Sequence, residues 1–331
     1  MLEITMHGLR AVILENDLIR VMLLLDKGTD IIEFNYKRKD IDFAWRSPSG
    51  FACLGQNRPS WGDSQLLTDT YTGGWFEAFP NVGPACTYLG AEIPFYGELC
   101  YLPWDYTIKQ DEPDRVEIIC RVRTVKMPFV VEKRISLQSG IPTLFIEEEI
   151  LNVGRERLGY QWGYHPNLGS PFLDESCEIR MTGAETEVLY SDSGFLKEGE
   201  LSSWPFASDG KGGSVDISRI RAFGTGWNEV VKLNDLADGK LSVYSSKLQT
   251  GLNLEWDHNS FGYNALWHVS NGDTGYPRYG DTYVLGFVLR SDRTWGLAAA
   301  ATAGTCKTLN PGESAGNWLR ISVTEGDYSG S

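Results

Sequence analysis

Short apolar stretches separated by polar punctuation run along most of the chain, and this pattern predicts strands. Five stretches are rich in Val, Ile, Leu and aromatic residues and are bounded by Gly, Pro, Asn or Asp, namely 18–25, 30–36, 115–124, 129–137 and 143–153. In the fourth stretch, polar residues alternate with a set that is apolar at three of its four positions, Val131, Lys133, Ile135 and Leu137. A period of two indicates a strand with one buried face, because strand side chains point alternately to opposite sides.

Turn signals join these stretches, and helix signals are scarce. Residues 26–29 and 139–142 have the composition of hairpin turns. The sequence contains no heptads, no repeat of about 20–50 residues and no low-complexity tract. The polar, Gly-rich segment 191–216 predicts a long surface excursion. Because no change in composition marks a boundary, we predict a single all-β domain over residues 1–331, folded as a large antiparallel β-sandwich or barrel-like sheet pair.

Composition and charge narrow the class of partner. Of 331 residues, 42% are hydrophobic and 22% are charged, which is typical of a globular protein and excludes a disordered chain. The formal net charge of −14 argues against nucleic acid or a membrane surface as a partner, whereas a neutral small molecule is indifferent to it. We therefore expect a small-molecule ligand.

The cysteines and the N-terminus indicate the compartment. The six cysteines show no CxxC spacing, which favours reduced thiols in the cytoplasm. The N-terminal segment 1–10 lacks the apolar core of a signal peptide, and no aliphatic run approaches the ~20 residues that span a bilayer. We expect a soluble cytoplasmic protein that is a monomer or a weak homodimer.

Four segments combine Gly or Pro with aromatic and polar side chains that buried strands avoid, namely 73–81, 94–104, 161–167 and 276–289. With Pro311–Ser314, they resemble in order the motifs of the aldose 1-epimerase (galactose mutarotase) superfamily, in its bacterial aldose 1-epimerase-like branch. Those motifs read GGWQE to PNAG, PFHGE to LPW, WGHHP, GYPWYGR to EP, and PGES. The similarity covers about residues 15–323. It implies a galactose mutarotase-like supersandwich with a sugar site on one sheet face.

The resemblance implies a reaction and its acid. Mutarotation opens and recloses a cyclic hemiacetal, so a proton leaves the anomeric hydroxyl and another reaches the ring oxygen. The acid of the resembling family is the histidine of its H-P motif, which is His165 here. An imidazole with the ordinary pKa near 6.5 is able to donate or to accept at neutral pH. The alternative is a structural histidine packed beside Trp162 and Tyr164.

Two positions depart from the family pattern. Val288 stands where the family carries its catalytic glutamate, and valine cannot accept a proton. Tyr96 stands at the histidine of the PFHGE motif. A phenol can hydrogen-bond a sugar hydroxyl, but with an ordinary pKa near 10 it is a poor base at pH 7. The scaffold is retained, and the usual base is missing.

Other carboxylates within or beside the matching segments are candidates for that base, namely Glu77, Glu98 and Asp257. Glu77 follows two glycines, which allow a close approach of the backbone to a ligand. Each carboxylate has a structural alternative: an ion pair with Arg58 or Arg278, a solvated position, or, for Asp257, a turn.

Sugars are held by aromatic rings and by planar hydrogen-bonding side chains. The tryptophans within the matching segments, or like Trp267 between them, serve stacking or core packing equally well, namely Trp75, Trp104, Trp162 and Trp267. The candidates for contacts with hydroxyl groups are Arg58, Asn81, Gln161 and Arg278. The four histidines have no metal-ligand spacing, so neither a metal nor another cofactor is expected.

Three functions remain open on the sequence. The first is an isomerase of the aldose 1-epimerase type that uses His165 and an unusual base. The second is a divergent enzyme on the same scaffold that performs elimination, epimerisation or deglycosylation of a modified sugar. The third is a carbohydrate-binding protein without catalysis.

Overall fold

The computed structural model describes residues 1–48, 50 and 66–326. Its first strands are β1 (Leu2–Met6), β2 (Leu9–Glu15), β3 (Ile19–Leu24), β4 (Asp30–Tyr36), β5 (Ile41–Asp42), β6 (Phe76–Ala78), β7 (Cys86–Tyr88), β8 (Ala91–Ile93), β9 (Asp105–Glu112), β10 (Arg115–Arg123), β11 (Phe129–Gln138), β12 (Thr143–Asn152), β13 (Leu158–Tyr160) and β14 (Gly163–His165). They are followed by β15 (Asn167–Leu168), β16 (Cys177–Arg180), β17 (Glu185–Ser191), β18 (Leu201–Ser203), β19 (Phe206–Ser208), β20 (Ser214–Asp216), β21 (Trp227–Asn234), β22 (Lys240–Ser245), β23 (Thr250–Trp256), β24 (Asn264–Ser270), β25 (Tyr283–Phe287), β26 (Leu289–Arg290), β27 (Lys307–Leu309) and β28 (Ser314–Glu325). The described helices are α1 (Leu66–Thr70), α2 (Leu297–Ala303) and a 3₁₀ turn (Leu99–Tyr101).

The strands form antiparallel sheets that pack around a shared apolar core. The largest sheet has the order β16-β22-β23-β28-β12-β11-β10-β9, and a six-stranded sheet has the order β15-β25-β24-β21-β17-β18. A five-stranded sheet contains β1 to β5 in sequence order, and a short sheet has the order β26-β14-β6. One continuous cluster of buried side chains receives members from all four sheets. The predicted all-β antiparallel sandwich is confirmed.

The strand predictions are confirmed because apolar and β-branched stretches bounded by turn residues mark strands. All five predicted stretches are strands, β3, β4, β10, β11 and β12, and their ends differ from the prediction by at most one residue. The segments 26–29 and 139–142 connect antiparallel partners, as predicted. The segment 191–216 is more ordered than a surface excursion, because it contains β18, β19 and β20 and buries Leu196 and Ala207.

Lys133 was the polar exception in the alternating strand, and the structure places it inside. Its Nζ lies 2.8 Å from Glu77 Oε2, 3.1 Å from Glu148 Oε1 and 2.9 Å from the Thr29 hydroxyl. Glu77 also accepts a hydrogen bond of 2.6 Å from Trp162 Nε1. We call Lys133, Glu77 and Glu148 the buried ion cluster. It joins the eight-stranded sheet to the sheet that carries β6.

Two features of the structure concern the predicted compartment. Five cysteines within the described ranges are free thiols, and Cys53 lies outside those ranges. None of the described helices is long and apolar enough to cross a membrane.

Candidate functional site

A cavity of about 200 Å³ lies on one face of the six-stranded sheet and is lined by residues of β21, β24, the helix α1 and several loops. Aromatic side chains form most of its wall, and polar atoms reach it at a few points. Its lining is Leu67, Thr68, Tyr71, Phe76, Phe95, Tyr96, His165, Val230, Trp267, Arg278, Val288 and Trp295. A small, partly open cavity with apolar walls and few polar groups is the usual form of a small-molecule site.

His165 reaches this cavity because of the side-chain alternation in β14. His165 and Phe76 are direct cross-strand partners, so their side chains lie on the same sheet face. The imidazole stacks on the Phe76 ring at 4.9 Å, and the rings of Tyr96 and Trp267 stand nearly perpendicular to it at 5.8 and 6.0 Å. Three aromatic contacts fix the ring plane of His165.

Gly286 makes room for this arrangement. A Cβ atom at this position would lie 2.4 Å from Asn167 Oδ1 and 3.0 Å from both the His165 and the Trp267 ring. The side-chain amide of Asn167 donates to the His165 carbonyl at 2.9 Å and to the Gly74 carbonyl at 2.8 Å, which fixes Asn167 beside Gly286. The absent side chain therefore lets His165 and Trp267 pack together at the cavity wall.

Arg278 is the charged side chain among the residues that line the cavity. Its guanidinium lies 4.7 Å from the centre of the Trp267 ring, and its Nη1 donates to Asp273 at 2.6 Å. Val288 also lies in the wall and is 3% exposed, so the position where the resembling family carries glutamate presents an isopropyl group. Within the described part of the chain, the lining contains no carboxylate.

Burial sets the protonation of the cavity. It lowers the pKa of His165 from 6.5 to about 3, and the nearby charge of Arg278 acts in the same direction. Burial raises the pKa of the Tyr96 phenol well above 10. The imidazole and the phenol are therefore both neutral at pH 7. A neutral imidazole offers one N–H donor and one acceptor nitrogen.

This state gives a prediction for the free protein. We expect the ring resonances of His165 to stay unchanged in NMR spectra between about pH 5 and pH 8, because the neutral form persists above its lowered pKa. Spectra of the His165→Asn variant identify these resonances by their loss. A titration near pH 6.5 that vanishes in the variant would contradict the burial argument.

Several predicted site residues lie at the cavity. His165, Tyr96, Trp267 and Arg278 line it together. Arg58 lies outside the described residues.

Glu77 does not reach the cavity, and the reason is the parity of β6. Phe76 faces the cavity, so Glu77 faces the opposite side, where its carboxylate is held by Lys133 and Trp162. Trp75 is fully buried in the main core and donates from its Nε1 to the Asn167 carbonyl at 2.9 Å. These findings replace the expectations of a base at Glu77 and a stacking ring at Trp75.

Glu98 is a structural carboxylate. Its two oxygens accept hydrogen bonds from the backbone N–H groups of residues 125, 126 and 127 at 2.7, 2.7 and 3.2 Å. Its carboxylate therefore links its own loop to the turn before β11, and both oxygens are engaged there rather than at the cavity. Asp257 accepts hydrogen bonds from Ser260 and Asn259 in the turn after β23, which is its structural alternative.

Asn81 and Gln161 hold loops together rather than facing the cavity. Asn81 is fully buried, donates to the carbonyls of Gly83 and Pro84, and accepts from the Leu297 N–H. Gln161 accepts from the Val82 N–H and donates to the Thr294 carbonyl. Trp104 and Trp162 belong to the main core. The predicted hydroxyl contacts at Asn81 and Gln161 are corrected accordingly.

Part of the cavity wall consists of residues outside the predicted site. Phe76 sits between Trp75 and Glu77, and the period of two would have placed it on the face opposite both. Val288 follows the same alternation: its neighbour Leu289 faces the main core, so Val288 faces the cavity. Tyr71, Phe95 and Trp295 come from loops, whose geometry follows no period. The alternation of side chains along the chain is therefore the sequence signal that identifies Phe76 and Val288 as wall residues.

The chain shares its β-sandwich fold with solved structures of galactose mutarotase-like proteins. A provisionally assigned aldose 1-epimerase of Klebsiella pneumoniae is 14% identical with a TM-score of 0.75, over 96% of this chain and 80% of that chain. The chain belongs to the family described as "Domain of unknown function (DUF4432)", whose sequence model matches residues 6–323. No curated protein matches it.

Two further solved structures show the same fold. A galactose mutarotase-like protein of Clostridium acetobutylicum is 13% identical with a TM-score of 0.66, over 98% of both chains. A galactose mutarotase related enzyme of Lactobacillus acidophilus is 15% identical with a TM-score of 0.63, over 96% of this chain and 98% of that chain. The resemblance to the aldose 1-epimerase superfamily is confirmed at the level of the fold.

Proposed function

We propose that this protein binds the ring of a sugar in the His165 cavity and exchanges its anomers by opening and reclosing the hemiacetal. The single observation that supports this proposal is the imidazole of His165, which is fixed by Phe76, Tyr96 and Trp267 in the wall of a cavity. The apolar faces of a pyranose pack on such rings, and its hydroxyls need the few polar groups that the wall supplies.

One imidazole can serve both ends of this reaction. Ring opening moves a proton from the anomeric hydroxyl to the ring oxygen, and both oxygens are bonded to the same carbon. In the proposed step the neutral His165 takes the hydroxyl proton as the bond between C1 and the ring oxygen breaks. The imidazolium, which the lowered pKa of His165 makes a strong acid, then returns that proton to the ring oxygen. Arg278 carries the positive charge that stabilises developing negative charge on oxygen.

The test is direct observation of anomer exchange. Saturation-transfer NMR with glucose, galactose, mannose and their uronic acids follows the α and β signals of each sugar. We expect at least one sugar to exchange faster with the protein than in buffer. If every sugar exchanges at the buffer rate, isomerase activity is contradicted.

Val288 favours a second candidate, a divergent enzyme or a binding protein that has given up conventional mutarotation. Its side chain lies in the cavity wall where the resembling family has a glutamate. A carboxylate there would supply the separate base, and general-base catalysis contributes about 10²–10⁴-fold.

The variant Val288→Glu tests whether the missing carboxylate limits anomer exchange. If the chain binds a free sugar and lacks only the base, this variant should raise the anomer exchange rate by roughly 10²-fold. Val288→Gln has the same size without the proton acceptor and should leave the rate unchanged. Thermal unfolding checks that both variants fold. Equal rates in the two folded variants would contradict the view that a missing carboxylate limits the reaction.

We further propose that the chain works as one domain in the cytoplasm, as a monomer or weak homodimer without nucleic acid or membrane. The net charge of −14 and the free thiols of the described cysteines support this assignment. Neither a metal nor another cofactor enters the proposed reaction.

A further inference from the structure

The cavity face of the six-stranded sheet continues beyond the cavity itself. Trp267 on β24 pairs directly with Val230 on β21, and Val230 pairs directly with Tyr190 on β17. Directly opposed residues of antiparallel strands lie on one sheet face. Trp267, Val230 and Tyr190 therefore form a row across three strands, which we call the aromatic row. With neighbouring strands about 4.8 Å apart, the row extends about 10 Å from Trp267.

The outer end of the aromatic row is open. Trp267 and Val230 line the cavity, whereas Tyr190 does not line it and is 43% exposed. A register shift in β17 between Val188 and Tyr190 brings Tyr190 opposite Val230. Such bulges redirect a side chain and are features of a strand rather than defects.

Polar side chains border the same row. Glu187 and Lys232 are cross-strand partners next to it, with a distance of 2.9 Å from Lys232 Nζ to Glu187 Oε1. Asp273, which holds Arg278, is close enough that its charge contributes to the raised pKa of Tyr190, after partial burial and the charge of Asp192. An aromatic ring bordered by charged hydrogen-bonding groups is the surface that a sugar ring fits.

The loop that carries Arg278 adds two more exposed rings. Tyr276 and Tyr279 are 50% and 72% exposed, and their ring centres lie 6.3 Å apart. Tyr279 has a φ of 48°, a left-handed conformation that is uncommon for an aromatic residue. The backbone N–H of Tyr279 donates to the Gly275 carbonyl, and Asn271 donates to the Gly280 carbonyl. The loop is thereby held in a defined shape beside the cavity.

From these contacts we infer that the aromatic row is an outer subsite, and that the ligand is a two-ring sugar derivative. Its reducing ring lies in the cavity with the anomeric hydroxyl free, and its second ring, attached away from C1, stacks on Tyr190. This inference rests on the proposed function. The cavity volume of about 200 Å³ suits one ring, so a second ring must lie outside it. The shared chemistry of the second ring is an apolar face, which a second sugar or an aryl group supplies.

Three ligands of one series test the outer subsite. Methyl β-D-glucoside carries one ring, cellobiose carries a second sugar on O4, and 4-O-benzyl-D-glucose carries an aryl ring at the same position; the galacto and manno series are run in parallel. Affinities are measured by calorimetry, with the NMR resonances of His165 as a report on the cavity. We expect at least one two-ring ligand to bind roughly tenfold more tightly than its methyl glycoside. The stronger two-ring ligand identifies the second ring as sugar or aryl.

Variants assign this gain to Tyr190. Tyr190→Ala should abolish the gain and leave the affinity for methyl glycosides unchanged, while Tyr190→Phe should keep the gain because it keeps the ring. Trp318→Ala removes a 36% exposed ring from β28 of the other large sheet and should keep the gain. Methyl glycosides that bind without any gain for two rings, or a gain that survives in Tyr190→Ala, would overturn the outer subsite alone. If no ligand shifts the His165 resonances, the proposed function and the outer subsite are both overturned.

Discussion

Replacing Lys133 with methionine is expected to lower the free energy of unfolding by about 3–5 kcal/mol. Lys133 is 1% exposed and is the cation between the carboxylates of Glu77 and Glu148. Methionine fills the space of the alkyl chain but leaves the Glu77 carboxylate buried without a counterion. Removing one partner of a buried ion pair costs more than the pair contributes, because the remaining charge has lost its solvation. Urea-induced unfolding followed by tryptophan fluorescence measures the change.

Glu148→Gln is the matched control for this prediction. Burial and the neighbouring Glu77 raise the pKa of Glu148 from 4.5 to about 8, so its carboxyl carries a proton at pH 7 and glutamine resembles it. We expect this variant to lose much less stability than Lys133→Met. If the two variants lose the same amount, shape rather than charge governs the buried ion cluster.

The pH dependence of stability follows from the same carboxyl. The folded protein holds a proton on Glu148 that the unfolded chain releases above about pH 4.5. A raised pKa in the folded state means that the contribution of this group to stability is lost as the pH rises from 4.5 through 8. The slope over this window should be shallower in Glu148→Gln, and urea denaturation at several pH values measures it. An unchanged slope would contradict the assignment to Glu148.

The sequence was sufficient for the sheets because apolar and β-branched stretches bounded by turn residues mark their strands. It placed β11 within one residue and also contained the sign that Lys133 points inward, since Lys133 falls on the apolar parity of that strand. Because lysine is ordinarily an exposed residue, its inward position is not expected from its identity. A lysine in the core is acceptable only with carboxylates around it, and those come from β6 and β12. Such a long-range pairing has no local signature.

The candidate site was predictable only where a strand delivers the residue. The motif indicates His165. The alternation of side chains along β6 excludes Glu77 from the cavity and places Phe76 there. Asn81 and Glu98 are polar residues in matching motifs, but both accept hydrogen bonds from backbone N–H groups of loops. Buried polar side chains usually have this role, because an unpaired backbone N–H or C=O inside a protein is costly. Motif membership alone did not separate the two roles.

Replacing His165 with asparagine is expected to reduce sugar turnover by about 10²–10⁴-fold while ligand affinity changes little. Asparagine keeps a donor and an acceptor but cannot carry a proton between two oxygens, so the loss falls on kcat rather than on KM. The matched control is His268→Asn. His268 is equally enclosed, with burial lowering its pKa to about 3, but it follows Trp267 on β24 and therefore points to the opposite sheet face. Turnover should survive in that variant.

The kinetic pattern of the two variants separates the possible roles of His165. A group that transfers the proton lowers kcat and kcat/KM together when it is removed, whereas a group that only holds the ring raises KM. Calorimetry with an unreactive methyl glycoside measures the affinity independently of turnover. If His165→Asn retains turnover within a few fold, or loses binding as strongly as turnover, the proton transfer lies elsewhere. Phe76, Tyr96 and Trp267 would then hold a purely structural imidazole.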